Sequence, residues 1–404
     1  MLMTMGETIS SQHNEAARVR AAAAPITVGV FDRFEAVRPD WMALQAEASV
    51  SGYQLLAWRE AFQRHLGAGQ APCIAVLADG SGRPQAILPF ALCRRAGVTT
   101  ASFIGGKHAN FGMGLWRPAF ARSMTGEALQ ATLRRIAAMS SLPIDLFALN
   151  NQPLSWGGLA NPFALLPHRP SPSFGYRLAL GPDADAVLER VVSSDSRRKL
   201  RRKERSLADH GPLSFVVARD LEAITRFTDT FLAYKAARLA ELGIADVFAV
   251  PGMRDFIIAA ASGEAPALEL CALMVGDTPV ALFGGTIAQG RYSGMFNAMI
   301  PGPLQKGSPG ELLLHHLIRH CCARGLTVID LGAGEAAYKA NICDGVDPLF
   351  DQTVATTARG AVVAAGMAAA GLAKRRVKQS PALWGLVVKL RRLRARGTWG
   401  KRAA

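Results

Sequence analysis

Two acidic side chains flank a glycine turn in the segment IDLGAGEAAYK. Asp330 ends a run of strand-like residues, and Glu335 follows the turn. Ligands of α/β proteins gather at the carboxyl ends of strands, so either carboxylate is a candidate general base. Acidic residues beside turns also serve as caps or solvent-facing charges. Lys339, four residues after Glu335, is either a contact to an acceptor or phosphate or a solvated surface charge.

A second candidate site is the turn QKGSPG, residues 305–310. Ser308, Pro309 and Glu311 have the types and spacing of a capping box with proline in the first helical turn, so a helix is predicted to begin there. A helix start presents free N–H groups and partial positive charge, which suit a phosphate, and Lys306 adds a cation. A plain helix cap is the alternative, because Glu311 would repel a phosphate bound too close.

Both candidate sites belong to one predicted unit that runs from 291 to 339. A strand-like segment precedes the proline- and glycine-rich turn, and LTVIDL after the helix predicts a second, short strand. The apolar stripe of the intervening helix consists of Leu312, Leu313, Leu317 and Ile318. The unit is therefore a β-α-β crossover.

The turn resembles the acyl-CoA pyrophosphate loop of GNAT acyltransferases, usually written Q/R-x-x-G-x-G/A. Gln305 and Gly310 match its first and last positions, and Ser308 stands where the middle glycine is expected. The resemblance implies acyl-CoA, such as acetyl-CoA, as co-substrate. It also implies that the pyrophosphate contacts Gln305, Lys306, Gly307, Ser308 and Gly310.

The order of several segments is similar to that of CelD/BcsL-type acyltransferases, which are associated with cellulose and exopolysaccharide synthesis and are relatives of the Fem-type aminoacyl transferases. These segments are SGYQLLAWREAF, CIAVLADGSGRPQAILPFALCRR, SSDSRRKLRRKERSLADHGPLSF, FLAYKAARLAELG and the unit that ends in AYK. The resemblance implies that Tyr338 donates a proton to the departing thiolate and that Lys339 is functional. A tyrosine packed at a domain seam is the alternative for Tyr338.

The 404 residues, half of them apolar, exceed the usual size of one hydrophobic core and predict two domains. Both are expected to be α/β with a mixed sheet, because hairpins precede a strand-helix-strand crossover in each. We predict a disordered segment over 1–24, an N-terminal GNAT-like domain over 25–180, a C-terminal GNAT acyltransferase domain over 181–358 and a basic tail over 359–404. The first domain lacks a turn like QKGSPG, so its cleft is predicted to be degenerate and to serve acceptor binding or packing.

Other residue types limit the classes of function. The six cysteines include no C-x-x-C pair and predict buried free thiols in a reducing compartment. The histidines lack paired carboxylates, so no metal is predicted, and His315, His316 and His108 are expected to be ordinary core or surface histidines. An acceptor contact is the alternative for His108, which lies in the polar loop KHAN. The N-terminus lacks the apolar core of a signal peptide, and no apolar run is long enough to span a membrane. A cytoplasmic location is therefore predicted.

The net charge of +15 is unevenly distributed. A helix predicted from near Gly181 to Gly211 contains seven basic residues between Arg197 and Arg205 without interleaved aromatic residues, which predicts either a polyanion contact or a solvated face. From Lys374 to the C-terminus there are eleven basic residues and no acidic one. Within this tail, residues 382–394 predict an amphipathic helix on an anionic membrane surface, with a disordered tail as the alternative.

These features predict an N- or O-acyltransferase that moves an acetyl or other acyl group from acyl-CoA to a glycan or amine acceptor, in cellulose or exopolysaccharide biosynthesis. Two alternatives stay open. One is a Fem-like aminoacyl transferase that uses aminoacyl-tRNA. The other is a catalytically inactive scaffold of a polysaccharide synthase complex.

Overall fold

The computed structural model describes residues 26–334, 336–380, 382–383 and 385. The predicted segment 1–24, Glu335 and almost all of the predicted tail helix lie outside the described residues. The strands are β1 (Thr27–Phe31), β2 (Ala71–Ala78), β3 (Pro84–Arg95), β4 (Val98–Phe103), β5 (Leu115–Trp116), β6 (Leu146–Pro153), β7 (Ser155–Trp156), β8 (Leu159–Ala160), β9 (Arg169–Ala179), β10 (Leu213–Val217), β11 (Glu269–Val275), β12 (Thr278–Ala288), β13 (Arg291–Met299), β14 (Val328–Ala333) and β15 (Gly345–Ala355).

The helices are α1 (Arg38–Glu47), α2 (Leu56–Leu66), α3 (Pro118–Ser123), α4 (Gly126–Met139), α5 (Ala184–Val191), α6 (Ser194–Ala208), α7 (Leu221–Leu242), α8 (Met253–Ala261), α9 (Pro309–Ala323), α10 (Ala337–Ile342) and α11 (Ala358–Gln379). The single helix predicted from near Gly181 to Gly211 is wrong, since α5 and α6 are separate. The extended backbone of Val192 ends the first helix, and the Ser193 side chain accepts a hydrogen bond from the Ser196 N–H to begin the second.

One arrangement of strands and helices occurs twice in the chain, as the sequence predicts. In the first unit α1 and α2 connect β1 to β2, the strands β1 to β4 pair antiparallel in order, and β6 lies parallel to β4 after the crossover helix α4. In the second unit α7 and α8 connect β10 to β11, the strands β10 to β13 pair antiparallel, and β14 lies parallel to β13 after α9. The predicted mixed α/β class is confirmed.

The two units share a single sheet because each contributes a strand to the other. The order of the main path is β1-β2-β3-β4-β6-β15-β9-β14-β13-β12-β11-β10. Strand β9, which follows the first unit along the chain, pairs with β14 of the second, and β15 returns from the second unit to pair with β6 of the first. The division near residue 180 stays a prediction, and backbone hydrogen bonds cross it at both strands.

Aromatic side chains from equivalent helices of the two units join them at a seam. Trp58 and Phe62 of α2 stack with ring centroids 5.3 Å apart, and Phe256 of α8 meets both rings edge-on at 5.5 and 5.7 Å. All three side chains are buried. Edge-to-face packing of this kind adds to the free energy gained from apolar burial, so the seam holds the units in a fixed relation.

Arg59 lies fully buried beside this seam. None of its three guanidinium nitrogens has a hydrogen-bond partner, and burial lowers its pKa to about 9. Its charge is therefore retained at neutral pH. The guanidinium carbon lies 5.6 Å from the centroid of the Trp58 ring, the one cation–π contact that the described residues offer it. Burial of a cation without an anion is unfavourable, so Arg59 weakens the folded state.

Replacement of Arg59 by methionine should stabilise the protein. Arg59→Met keeps the length of the side chain and removes the buried charge, so the free energy of unfolding should rise by about 1–4 kcal/mol. Denaturant unfolding followed by tryptophan fluorescence measures the change. Arg38→Met is the matched control, since Arg38 pairs with Glu60 on the surface at 2.5 Å and should give little change. A loss of stability in Arg59→Met would show that the guanidinium is paired in solution.

Candidate functional site

The candidate site of the second unit is a fork between two parallel strands. Strands β13 and β14 pair only from Arg291 opposite Val328 to Ser293 opposite Asp330. Beyond this point β13 continues along β12 to Met299, whereas β14 pairs with β9. Beyond the three paired positions, the backbone N–H and C=O groups that face each other across the fork do not hydrogen-bond to each other. Such groups must be satisfied by a side chain, water or a ligand.

Asn110 of the first unit fills the closed end of the fork. Its Nδ2 donates to Gly294 O at 2.8 Å and to the Tyr53 hydroxyl at 2.6 Å, and its Oδ1 accepts from Ala333 N at 3.2 Å. The Tyr53 hydroxyl also donates to Gly294 O at 3.2 Å. Gly332 permits this approach, because a Cβ there would lie 2.4 Å from Asn110 Nδ2. The first unit thus supplies part of the site in the second.

Neither Asn110 nor Tyr53 is predicted from the sequence to belong to a site. The polar loop KHAN is a signal that a polar group enters a site, and Asn110 rather than His108 is the residue that does so. His108 instead packs between the Phe62 and Phe248 rings, at 6.3 and 5.7 Å, and burial lowers its pKa.

The turn predicted to hold a phosphate leads into α9. Residues Pro303–Gly307 form a 3-10 turn, and α9 begins at Pro309 as predicted. The predicted capping box is wrong, because Ser308 has left-handed backbone angles (φ 50°, ψ 49°) and its side chain caps no N–H group. Its hydroxyl instead accepts a hydrogen bond from Lys203 of α6 at 2.6 Å. The start of α9 therefore lies beside a cation and without a side-chain cap.

The basic helix α6 lies directly against this turn. Gly307 packs on Leu207, where a Cβ on the glycine would come within 2.5 Å of the leucine side chain. Lys306 is exposed, and Gly310 has room for a side chain, since an added Cβ would meet only Met299 Sδ, at 3.9 Å. The structure brings the basic helix against the turn and the start of α9, although Lys203 and Ser308 are 105 residues apart in the sequence.

The equivalent helix start of the first unit is closed. Thr125 Oγ1 accepts a hydrogen bond from Ala128 N at 3.2 Å, so α4 has the side-chain cap that α9 lacks. A Cβ on Gly126 would lie 3.1 Å from the Leu165 carbonyl oxygen, which shows that the chain covers this end of the helix. The two units thus share a topology and differ at the position where an anion would bind.

Asp330 lies at the base of the fork and is fully buried. Burial raises its pKa to about 7, partly offset by the charge of Arg291 and by the hydrogen bond of 2.6 Å that its Oδ1 accepts from Gly332 N. The Arg291 guanidinium is 3.6 Å from Asp330 Oδ2 and stacks over the Trp156 ring at 4.0 Å. It also approaches Asp347 at 3.8 Å. These contacts join Asp330 to a charge network that crosses β13, β14 and β15.

Lys339 and Tyr338 point to different surroundings, although they are adjacent in α10. Lys339 is 7% exposed, and its Nζ donates to Gly332 O at 3.2 Å and to Ala333 O at 3.4 Å. It is therefore not a solvated surface charge. The Tyr338 hydroxyl accepts a hydrogen bond from Asn297 Nδ2 at 3.0 Å, and the residue is 40% exposed. Burial raises the pKa of Tyr338, and the bond from Asn297 opposes this.

Lys235 of α7 contacts the same asparagine that bonds to Tyr338. Its Nζ donates to Asn297 O at 3.1 Å and lies 5.7 Å from the Phe248 ring centroid. Burial lowers its pKa, with partial compensation from Asp246. Nothing in the sequence around Lys235 predicts a role for this residue.

No group of three His, Cys, Asp or Glu side chains is arranged to hold a metal ion within the part of the chain that the structure describes. The six cysteines are free thiols, four of them buried.

Comparisons with known proteins agree with this architecture. Residues 194–340 match the family model of the acetyltransferase (GNAT) domain. This region of the chain has a GNAT-type fold. A crystal structure of FemX is similar (10% identity, TM-score 0.54, covering 80% of this chain and 96% of that chain). So is the C-terminal domain of a putative lysylphosphatidylglycerol synthetase from Agrobacterium fabrum (12% identity, TM-score 0.51, covering 83% and 96%). At these identities the likeness concerns the fold. No curated protein matches the chain.

The pKa of Asp330 generates a prediction about stability and pH. A carboxyl with a raised pKa in the folded state favours folding below its unfolded pKa, and this contribution is lost as the pH rises through the folded value. A pKa of 3.8 in the unfolded state and about 7 in the folded state corresponds to a loss of about 4 kcal/mol in the free energy of unfolding. Asp330→Asn cannot ionise, so its free energy of unfolding should rise relative to that of the wild type between pH 4 and pH 7.

Urea unfolding of both proteins across this pH range measures the difference. Asp32→Asn is the control, because Asp32 is exposed on the surface. Parallel pH curves for wild type and Asp330→Asn would contradict the raised pKa.

Proposed function

We propose that this protein is an acyltransferase that moves an acetyl or other acyl group from acyl-CoA to an amine or hydroxyl acceptor. The observation that carries the proposal is the difference between the two helix starts. The start of α9 has no side-chain cap, is flanked by Lys203 and Lys306, and opens beside the fork of β13 and β14, whereas the start of α4 is capped and covered. The first unit then serves acceptor binding and packing.

The groups at this site fit the chemistry of acyl-CoA. The backbone N–H of Gly310 at the start of α9 and the nearby cations suit the pyrophosphate. The contacts of Asn110 indicate that an amide fits between Gly294 O and Ala333 N. An amide of the pantetheine arm takes the place of this carboxamide when the donor binds, and Asn110 moves aside.

The reaction requires attack by the acceptor nitrogen or oxygen on the thioester carbonyl carbon. A new C–N or C–O bond forms, the acceptor loses a proton, and the C–S bond breaks with release of a thiolate. Tyr338, whose raised pKa keeps it protonated, gives its proton to that sulfur. Glu335 or Asp330 takes the acceptor proton. Lys339 holds the turn 332–333 in place by hydrogen bonds from its Nζ to the carbonyl oxygens of Gly332 and Ala333.

For the acceptor we propose a glycan or amine, in keeping with the resemblance to CelD/BcsL-type enzymes of cellulose and exopolysaccharide synthesis. No helix among the described residues is long and apolar enough to cross a bilayer. A cytoplasmic enzyme whose basic tail contacts an anionic membrane surface is consistent with such an acceptor.

An aminoacyl transferase that uses aminoacyl-tRNA is the second candidate. The exposed basic side chains of α6 favour it, because they extend the positive surface beyond what one pyrophosphate needs. One similar structure is that of a putative lysylphosphatidylglycerol synthetase domain. Binding of tRNA that weakens steeply with salt, together with no binding of acetyl-CoA, would favour this candidate. A scaffold without catalysis would bind neither donor.

Isothermal titration with acetyl-CoA tests the donor site. Lys203→Gln and Gly310→Val should each weaken binding by about tenfold, because one removes a charge-assisted contact and the other crowds the backbone donors. Both variants should fold, since Gly310 has open space around it. Arg205→Gln, an equal change of charge at an exposed position on α6, is the control. Unchanged affinity in both variants would rule out the turn as the donor site.

Removal of the Tyr338 hydroxyl tests the chemical step. Tyr338→Phe should lower kcat by about 10²–10⁴-fold and leave acetyl-CoA affinity unchanged, because the hydroxyl acts only when the thiolate leaves. Release of free thiol from acetyl-CoA in the presence of a panel of amine and sugar acceptors measures the rate. A variant with the wild-type kcat would remove Tyr338 from the mechanism.

A further inference from the structure

A cleft separate from the fork lies between the outer face of α9 and the helices α5 and α6. Its volume is about 430 Å³, which is within the range of small-molecule sites. Each of the three helices contributes one leucine to its apolar lining, namely Leu188, Leu200 and Leu312. These side chains offer contact to the face of a ring.

His315 of α9 lines this cleft with an unsatisfied polar atom. It is 7% exposed, and its Nε2 has no hydrogen-bond partner. Burial lowers its pKa to about 4, so the imidazole is neutral near pH 7 and offers a directional hydrogen bond rather than a charge. The sequence predicts an ordinary core or surface histidine here. A buried nitrogen without a partner instead favours a bound polar group.

Three arginines and three carboxylates line the cleft. The acidic lining residues are each engaged by a neighbour: Arg197 with Glu189 at 2.9 Å, Arg319 with Asp185 at 2.6 Å, and His316 with Glu204 at 3.5 Å. Arg201 is exposed and lines the cleft. Among the described residues it has no ion-pair partner. Arg201 is therefore placed to contact a phosphate, and its planar guanidinium is also suited to stacking on a base.

The cleft and the turn at the start of α9 are framed by the same two helices. Leu312 of the cleft lies in the first turn of α9, four residues after Ser308, and Lys203 of α6 bonds the Ser308 hydroxyl. A ligand with phosphates at the helix start can therefore extend into the cleft without crossing another element.

We propose that this cleft binds the nucleotide end of the acyl donor, with the base against the leucines and His315 and with a phosphate at Arg201. The inference rests on the proposed function, because it extends the same donor site. Coenzyme A and the 3′ end of a transfer RNA share this chemistry.

Isothermal titration with separate donor fragments tests the cleft. The probes are coenzyme A, adenosine 3′,5′-bisphosphate, pantetheine, which lacks the nucleotide, and uncharged tRNA. Arg201→Gln and His315→Leu are compared with Arg202→Gln, an equal loss of charge at an exposed position about 100° around the same helix. Both cleft variants should weaken binding of coenzyme A and of the bisphosphate by about tenfold, with pantetheine and Arg202→Gln unchanged.

If both cleft variants bind coenzyme A as tightly as the wild type does, the inference about the cleft is overturned, but the proposed donor site at the start of α9 is not. An equal loss in Arg201→Gln and Arg202→Gln would also overturn it, because long-range charge would then explain the effect. Binding of tRNA alone, selectively weakened by Arg201→Gln, would support the cleft and reject coenzyme A as the donor. No binding of any nucleotide probe would overturn it. Arg201 is exposed, so its variant is expected to fold even if His315→Leu does not.

Discussion

The unpaired backbone edges where β13 and β14 diverge are the constraint on which the rest of the site depends. Parallel strands that separate leave polar groups that the interior cannot leave unsatisfied. The protein satisfies the closed end with Asn110 and leaves the open end facing the start of α9. Asp330, Gly332 and Lys339 then take positions fixed by the same divergence, because each bonds or flanks the backbone of β14.

Sharing of one sheet by two units explains how a side chain from the first reaches the fork of the second. Strands β9 and β15 cross between the units, and the aromatic seam of α2 and α8 fixes their relation. The loop that carries Asn110 can therefore be placed accurately against Gly294 and Ala333. The repeated topology also supplies an internal comparison. Thr125 and the Leu165 carbonyl close one helix start, while Ser308 and Lys203 leave the other accessible to an anion.

Local patterns in the sequence predicted the elements well, because they depend on neighbouring residues. The proline after Ser308 places the start of α9 correctly, and the segment LTVIDL does form a strand. Ser308 itself was predicted wrongly, because its left-handed backbone and its bond to Lys203 depend on α6, a hundred residues earlier. The match of 194–340 to the GNAT domain model agrees with the resemblance of the turn.

Contacts between distant segments escaped prediction for the same reason. Asn110 meets Gly294 across 184 residues and Ala333 across 223, and no local pattern records either pair. The different surroundings of Tyr338 and Lys339 likewise depend on distant residues, because Tyr338 bonds to Asn297 and Lys339 bonds to carbonyl groups of the turn at 332–333.

A crystal structure of the complex with coenzyme A tests the central claim most directly. The account predicts the pyrophosphate at the Ser308–Gly310 backbone beside Lys203, with a pantetheine amide between Gly294 and Ala333 in place of the Asn110 carboxamide. Coenzyme A bound at the start of α4, or bound elsewhere while Asn110 still bridges the fork, would contradict it.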